Sequence, residues 1–224
     1  MNRTLLFTAL LAAAGIASGH DEPGRSIDKV NGGITAEAGQ GYGDLSTVNG
    51  GIRLERGASA EDVETVNGGV EAADEVSVRS VSTVNGAIRF GERARIAGEV
   101  ETVNGGIFID RGGNVQRDVS TVNGAIGLVD TDLAGGIETV NGDVTVGVGS
   151  HVKGGIRIEK PTGKWNILWG KPKVPRIVVG PDAVVEGDMV FEREVKLYVH
   201  RSARIGKVSG AAAQAYDTPT PPQD

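Results

Sequence analysis

The sequence predicts an all-β fold, a single-stranded parallel β-helix (solenoid) of about ten coils with about 18 residues each. The first observation behind this prediction is a phrase, Val-Asn-Gly, that occurs seven times. Its asparagines are Asn31, Asn49, Asn67, Asn85, Asn104, Asn123 and Asn141, and successive spacings are 18, 18, 18, 19, 19 and 18 residues. The second observation is composition: Gly contributes 35 of 224 residues and aromatics only 4%. A narrow solenoid has room for few aromatic side chains, so period and composition agree.

The residues around each phrase favour strands. Val, Ile and Thr fit a pleated, half-buried surface, as in Ser46-Thr47-Val48 and Ile52-Arg53-Leu54. Asn-Gly favours a turn, because both residues tolerate a positive φ. An Asn-Gly turn can also close an antiparallel hairpin. Hairpins would need a second turn signal halfway through each unit, and the midpoints, such as Glu55–Ala58 and Ala73–Val76, share no turn residues. We therefore favour one solenoid coil per unit, with three faces of about six residues and parallel strands about 4.8 Å apart.

Stacked identical coils would place the seven asparagines in register at one corner. We expect their amides to be buried and to hydrogen-bond along the stack as a structural asparagine ladder. Val, Ile and Leu of successive coils would form one continuous apolar column. The repeat is therefore interpreted as structural, not as an array of ligand sites. Coil handedness is open on sequence grounds, and we favour a right-handed coil because hexapeptide signals are weak.

Charge and composition narrow the possible functions. The net charge is −6, which gives no electrostatic basis for binding nucleic acid. The absence of Cys excludes disulfides, thiolate metal sites and a lipoprotein anchor, and three scattered His make a zinc site improbable. No cofactor and no metal site are predicted.

The N-terminal residues resemble a secretory signal. Residues 1–19 combine Arg3, an apolar run from Leu5 to Ile16 and a small-residue segment, Ala17-Ser18-Gly19, suited to cleavage. The run is too short to span a membrane. We expect a periplasmic or secreted protein, with the signal removed near residue 19. Residues 20–28 follow as a polar lead-in or cap, and the repeat coils occupy 29–158.

The segment 159–176 interrupts the repeat. It holds both tryptophans, Trp165 and Trp169, and the basic residues Lys160, Lys164, Lys171, Lys173 and Arg176. Its prolines place it outside regular strands. Either the tryptophans plug a gap in the stack, or they and the lysines bind a sugar or an acidic polymer. The candidate ligand-binding residues are Trp165, Trp169, Lys164, Lys171 and Lys173.

Strands resume after this segment without the asparagine. Ile177 and Val195 are 18 residues apart, so we predict further coils over 177–209. The residues 210–224 are Ala-rich and then Pro-rich, and we predict a flexible tail there.

Two stretches resemble known families. The Thr-Val-Asn-Gly-Gly-Ile repeats at 47–52 and 102–107 resemble the putative-adhesin families of bacterial β-solenoid proteins. The stretch Val179–Asp188 resembles the coils of bactofilins, which are polymer-forming bacterial cytoskeletal proteins. The first resemblance implies a surface or envelope solenoid, and the second implies self-association.

Three functions follow from these observations. The first is an exported non-enzymatic solenoid, acting as an envelope scaffold or adhesin-like binder of cell-envelope glycan. The second is a polymer of copies stacked end to end. The third is a polysaccharide-active enzyme, which would need paired carboxylates in a cleft, and Asp110, Asp130 and Asp132 are the acids in neighbouring coils. Because the coils carry no long loops before residue 158, we predict that the protein is not an enzyme. His151 and His200 suggest no catalytic triad.

Overall fold

A computed structural model describes residues 24–161 and 173–222 of the chain. The predicted signal 1–19 and most of the predicted insertion lie outside these residues. The described residues form a β-solenoid without helices, in which the paired strands are parallel. The predicted fold class is confirmed, including about ten coils of about 18 residues. No helix in the described part of the chain is long and apolar enough to cross a bilayer.

The strands are short and follow each other closely along the chain. They are β1 Ile27–Asn31, β2 Ile34–Ala36, β3 Leu45–Asn49, β4 Ile52–Leu54, β5 Ser59–Asn67, β6 Val70–Ala72, β7 Ser77–Asn85, β8 Ile88–Phe90, β9 Arg95–Ile96, β10 Val100–Asn104, β11 Ile107–Ile109, β12 Asn114–Val115, β13 Val119–Asn123, β14 Ile126–Leu128, β15 Asp132–Leu133, β16 Ile137–Asn141, β17 Val144–Val146, β18 His151–Val152, β19 Ile156–Ile158, β20 Arg176–Val179, β21 Val184–Val185, β22 Met189–Phe191, β23 Lys196–His200, β24 Arg204–Ile205, β25 Val208–Ser209 and β26 Ala213–Tyr216.

Each coil contributes up to three strand segments, which define three faces. The first face begins with β1 and β3 and carries the Val-Asn phrase. The second face is a ten-stranded sheet with one strand per coil, from β2 to β26. The third face begins with the first residues of β5 and β7. It continues through six two-residue strands, β9, β12, β15, β18, β21 and β24. Because β5 and β7 run through both, the first and third faces form one sheet.

The core is a set of stacked aliphatic columns inside the coil. On the first face, Leu45 stacks on Val63 and then on Val81, and all three are buried. On the second face, Ile52 and Leu54 begin equivalent columns. Each such residue is in contact with the residue one coil away, so removing apolar surface from water stabilises every coil through its neighbours.

The predicted continuous apolar column of Val, Ile and Leu is present, but the Val of the repeated phrase lies outside it. Side chains alternate along a strand, and in the six repeats that carry it the Thr two residues before the Asn points inward. Thr47 is buried, whereas Val48 is half-buried on the outside and Val30 is 67% exposed. The inward position suits Thr because its hydroxyl donates to the carbonyl oxygen of the glycine that follows the asparagine in the preceding coil, as Thr47 does to Gly32. This hydrogen bond measures 2.8–3.1 Å in five successive coils, from Thr47 to Thr121.

The corner after the asparagine, between the first and second faces, is the asparagine corner. From the second coil onward its glycines, such as Gly105 and Gly124, do not have a positive φ. A Cβ on Gly105 would overlap the carbonyl oxygen of Gly86 in the coil below. Glycine is therefore required here by close stacking of backbones, which corrects the φ argument made from sequence.

Positive φ occurs instead at the corner between the second and third faces, halfway through each unit. The residues are Gly39, Gly57, Glu75, Arg93, Gly112, Asp130, Gly149 and Asp182. A shared turn thus exists where the sequence shows no common residue type. The inference against hairpins was right, but one of its premises was wrong.

The C-terminal boundary also differs from the sequence prediction. Ala213–Tyr216 form β26, which pairs with β23 and completes the second face. Tyr216 is buried against Val178 and Tyr198 on the outside of that face. The predicted flexible tail, 210–224, therefore includes an ordered strand, because backbone pairing and one aromatic side chain compensate for the low apolar content.

Candidate binding region at the asparagine corner

The insertion departs from one corner of the solenoid. In the seventh coil, the chain crosses this corner in 5 positions, from the inward Thr139 to the inward Val144 (144 − 139). Ile158 and Ile177 are their register partners in the eighth coil, and they are 19 positions apart (177 − 158). The 14 additional residues therefore lie at the asparagine corner of the eighth coil. Ile158 and Ile177 are both fully buried, so the inner positions on either side are filled by the coil's own side chains.

The sequence candidates for ligand binding are placed unequally. Trp165, Trp169, Lys164 and Lys171 lie outside the described residues. Lys173 is described, its side chain is 80% exposed, and its Nζ lies 2.7 Å from Oδ2 of Asp143.

The asparagine ladder ends at the coil before the insertion. In each of six links, Nδ2 of one asparagine donates to Oδ1 of the preceding one at 3.0–3.1 Å, from Asn49–Asn31 to Asn141–Asn123. The side chains are exposed, not buried as expected from sequence. All six amides point the same way, so the first donor, on Asn31, and the last acceptor, on Asn141, have no ladder partner.

Arg193 supplies the missing partner at the acceptor end. Its guanidinium donates to Oδ1 of Asn141 at 2.6 Å and to the carbonyl oxygen of Val140 at 3.0 Å. Thr139, Ile158 and Phe191 are register partners in three successive coils. Asn141 and Arg193 each lie two residues after a member of this set, so Arg193 occupies the asparagine's column two coils further on. A cation is favourable here because aligned amides leave partial negative charge at their carbonyl end, as in a helix.

The same arginine and Asp143 hold the end of the insertion. Arg193 donates a further hydrogen bond to the carbonyl oxygen of Lys173, at 3.1 Å. Asp143 accepts from the backbone N of Arg176 at 2.9 Å, besides pairing with Lys173. We call Arg193 and Asp143 the corner clasp, because they attach the returning chain to the ladder end.

Electrostatics around the corner are mixed. Lys160 is exposed at the insertion's start, and Arg157 pairs with Glu192 at 2.9 Å. Burial, together with Glu138 and Glu192, raises the pKa of Glu159. The described margin of the insertion therefore carries the exposed cation Lys160 beside two ion pairs, Arg157–Glu192 and Lys173–Asp143.

A cluster on the second face lies beside the clasp and was missed from sequence. The guanidinium carbon of Arg176 is 5.0 Å from the centroid of the Tyr198 ring, and Arg176 also donates to the carbonyl oxygen of Pro222. Tyr216 donates from its hydroxyl to the carbonyl oxygen of Val179 at 3.3 Å. No sequence pattern predicts that Tyr198 and Val178 are buried, because other outward residues of this face, such as Arg53, are exposed.

The acids considered for catalysis are not assembled into a cleft. Asp110 accepts from the backbone N of Arg111, at 2.8 Å, and Asp130 occupies a positive-φ turn. Asp132 lies on the third face, 4.0 Å from His151, whose Nε2 is 2.7 Å from Glu186. His200 contacts Tyr216 edge-on, with ring centroids 5.0 Å apart. Within the described ranges, no group of three His, Asp or Glu residues is arranged to hold a metal ion.

One shallow groove runs along the second face of the first four coils. Its volume is about 390 Å³, its floor is Gly33, Gly51, Gly69 and Ala87, and its wall includes Arg53 and Arg89. Arg53 is paired with Glu71 at 2.8 Å. The groove is remote in sequence from the insertion.

Comparison with known proteins adds no further guide: no family model, no curated protein and no solved structure matches this chain.

Proposed function

We propose that this protein is an exported, non-enzymatic β-solenoid that presents a basic, tryptophan-containing insertion to cell-envelope glycan. It acts as an envelope scaffold or adhesin-like binder in the periplasm or outside the cell. One observation carries the proposal: among the coils of residues 24–161 and 173–222, the one long departure from the coil period lies at the asparagine corner, where the corner clasp attaches its returning end.

Three further points support the proposal. Ile158 and Ile177 already fill the coil interior beside the insertion, so the stack does not require a tryptophan plug there. Trp and Lys are suited to stacking on sugar rings and to pairing with acidic groups. The resemblance of the repeats to putative-adhesin solenoids and the signal-like residues 1–19 agree with an envelope role.

The proposal is tested by retention of the purified protein on insoluble peptidoglycan and on an immobilised acidic polysaccharide. Replacing both Trp165 and Trp169 with Ala should weaken retention about tenfold, since two stacking contacts worth about 0.5–1.5 kcal/mol each would be lost. Lys153→Ala, an exposed cation on the third face, is the matched surface control and should retain wild-type binding. Unchanged retention in the double tryptophan variant would remove the insertion as the binding element.

Localisation and the absence of catalysis have separate tests. Cell fractionation should recover the protein, shortened near residue 19, outside the cytoplasm. Incubation with a panel of envelope polysaccharides should release no soluble product, and product release abolished by Asp132→Asn would establish the enzymatic alternative instead.

A further inference from the structure

An arginine and a phenylalanine lie side by side on the outside of the second face. Arg89 and Phe108 are register partners on β8 and β11, one coil apart. Arg89 is exposed, and it forms no ion pair or hydrogen bond within residues 24–161 and 173–222. Phe108 is 37% exposed and lies against Gly127 of the next coil, where a Cβ would come within 3.2 Å of its ring. Neither side chain belongs to the buried core, so both are available to a ligand.

Arg89 also forms one end of the groove on the first four coils. The volume of this groove, about 390 Å³, falls within the range of small-ligand sites, about 300–1,000 Å³. Its wall alternates in charge, because Glu71 lies between Arg53 and Arg89 in register and pairs with Arg53 at 2.8 Å. Arg89 is thus the guanidinium of the groove that is left for an anionic group, and it lies at the end next to Phe108.

The path from this groove to the insertion carries only small side chains. The floor continues through Gly106 and Ala125 to Asp143 of the corner clasp, each joined to the next coil by a backbone hydrogen bond. Beside the floor, the outward positions that follow the phenylalanine are Gly127 and Thr145. From the second coil to the seventh, five strand spacings make this path about 24 Å long. The groove and the insertion therefore lie on one line along the solenoid.

The asparagine ladder borders the same path. In each of the first seven coils the floor residue follows the ladder asparagine by two positions, as Gly51 follows Asn49. An asparagine amide has two N–H donors and an oxygen with two lone pairs. The ladder uses one donor and one lone pair of each interior asparagine, and these side chains are exposed. One donor and one acceptor per coil therefore remain for hydroxyl groups, repeating every 4.8 Å or so.

We propose that this line of the second face is a glycan track, on which a linear polysaccharide bearing carboxylates lies from the groove to the insertion. A sugar ring stacks on Phe108, and a carboxylate of that ring or its neighbour pairs with the guanidinium of Arg89. Ring hydroxyls form hydrogen bonds with the remaining amide groups of the ladder. A linear chain is the ligand that fits, because the contact groups follow one another in single file along the axis. The inference rests on the proposed function, in which the insertion holds the same chain at the eighth coil.

The test uses the chain from His20 onward, which is the predicted mature form, and isothermal titration calorimetry. The charged probe is a long oligomer of polygalacturonate, and the neutral probe is the same oligomer with its carboxylates methyl-esterified. Phe108→Ala should raise the Kd of both probes about threefold to tenfold, since a stacking contact is lost. Arg89→Gln should raise only the Kd of the charged probe, by a similar factor. Glu71→Gln frees Arg53 and should lower that Kd.

Two substitutions of the same kinds away from the track are the controls. Arg95→Gln removes an exposed arginine on the third face, and Val148→Ala shortens an exposed apolar side chain at another corner. Both variants should bind the two probes as the wild type does.

The outcomes separate the track from the insertion. Unchanged binding in both Arg89→Gln and Phe108→Ala would overturn the track, as would a wild type that binds neither probe or an equal loss in Arg95→Gln. A loss in Phe108→Ala alone would overturn the carboxylate as the recognised group. The variant lacking Trp165 and Trp169 is measured in the same assay. If it alone loses binding, the track is wrong and the proposed function stands; if only the track variants lose binding, the track stands and the insertion is not the binding element.

Discussion

At the residue scale, the repeated phrase has a different role for each of its letters. Thr bonds the corner carbonyl of the coil below in five of the six repeats that carry it, Val covers the outside of the first face, and Asn links to its neighbours. Gly permits the backbones of successive corners to approach closely. The repetition of Val-Asn-Gly therefore follows from three separate local requirements, and the Thr before it in six of the seven repeats answers a fourth.

The glycine requirement gives a first prediction. Gly105→Ala places a Cβ against the carbonyl oxygen of Gly86 and should lower the melting temperature by about 5–10 °C, because the corners must move apart. Gly41→Ala is the matched control: its Cβ would approach only Oγ of Ser59, at 3.4 Å. Circular dichroism melting curves of the two variants provide the measurement. Equal melting temperatures would show that stacking distance does not impose the glycine.

At the element scale, the asparagine ladder is one hydrogen-bonded unit across seven coils. Each interior asparagine donates one bond and accepts one, whereas Asn31 only accepts. The corner clasp closes the other end, so the ladder and the insertion share Arg193.

The ladder gives a second prediction, in which position within the ladder is the variable. Asn85→Ala removes two links and should lower the free energy of unfolding by about 1–2 kcal/mol, since each exposed link contributes about 0.5–1 kcal/mol. Asn31→Ala removes one link and should cost about half as much. Denaturant titration compares the two variants. An equal loss of unfolding free energy in the two variants would contradict the idea that each hydrogen bond of the ladder contributes separately to stability.

At the scale of the whole molecule, sequence was most informative where one requirement repeats. The 18-residue spacing of the asparagines is enough to predict coils and register, because each coil is stabilised by the coil next to it. The inward Thr and outward Val could have been predicted from strand alternation. The positive-φ corner could not, because Gly57, Glu75 and Arg93 meet the same backbone demand with unrelated side chains. Arg193 could not be predicted either, since its contacts join residues 20 and 52 positions away.

An acidic column on the first face gives a prediction for the whole rod. Burial, followed by the charges of Asp62 and Asp44, raises the pKa of Glu64. Burial and then Glu99 raise the pKa of Glu101. A carboxyl whose pKa is raised by folding binds its proton more tightly in the folded state. Its contribution is therefore present below its usual pKa and is lost as pH rises through the raised value.

Glu101→Gln removes this titration and should raise the melting temperature by about 1–2 °C at about pH 7. At about pH 4, where the wild-type carboxyl is largely protonated, the difference should vanish. Melting curves of both proteins at the two pH values provide the measurement, with the low-pH pair as internal control. A lower melting temperature for the variant at neutral pH would contradict the cost that burial and the charge of Glu99 impose on the ionised carboxyl of Glu101.

The uniform direction of the ladder has a consequence for how such a protein can change over generations. A coil bounded by two asparagines contacts the coils above and below through the same hydrogen bonds and the same inward side chains. An in-frame duplication or loss of one repeat would join surfaces that already fit, without a new contact having to arise. Such changes would lengthen or shorten the solenoid in steps of one strand spacing, while the clasp and the insertion keep their place at the end of the asparagine ladder.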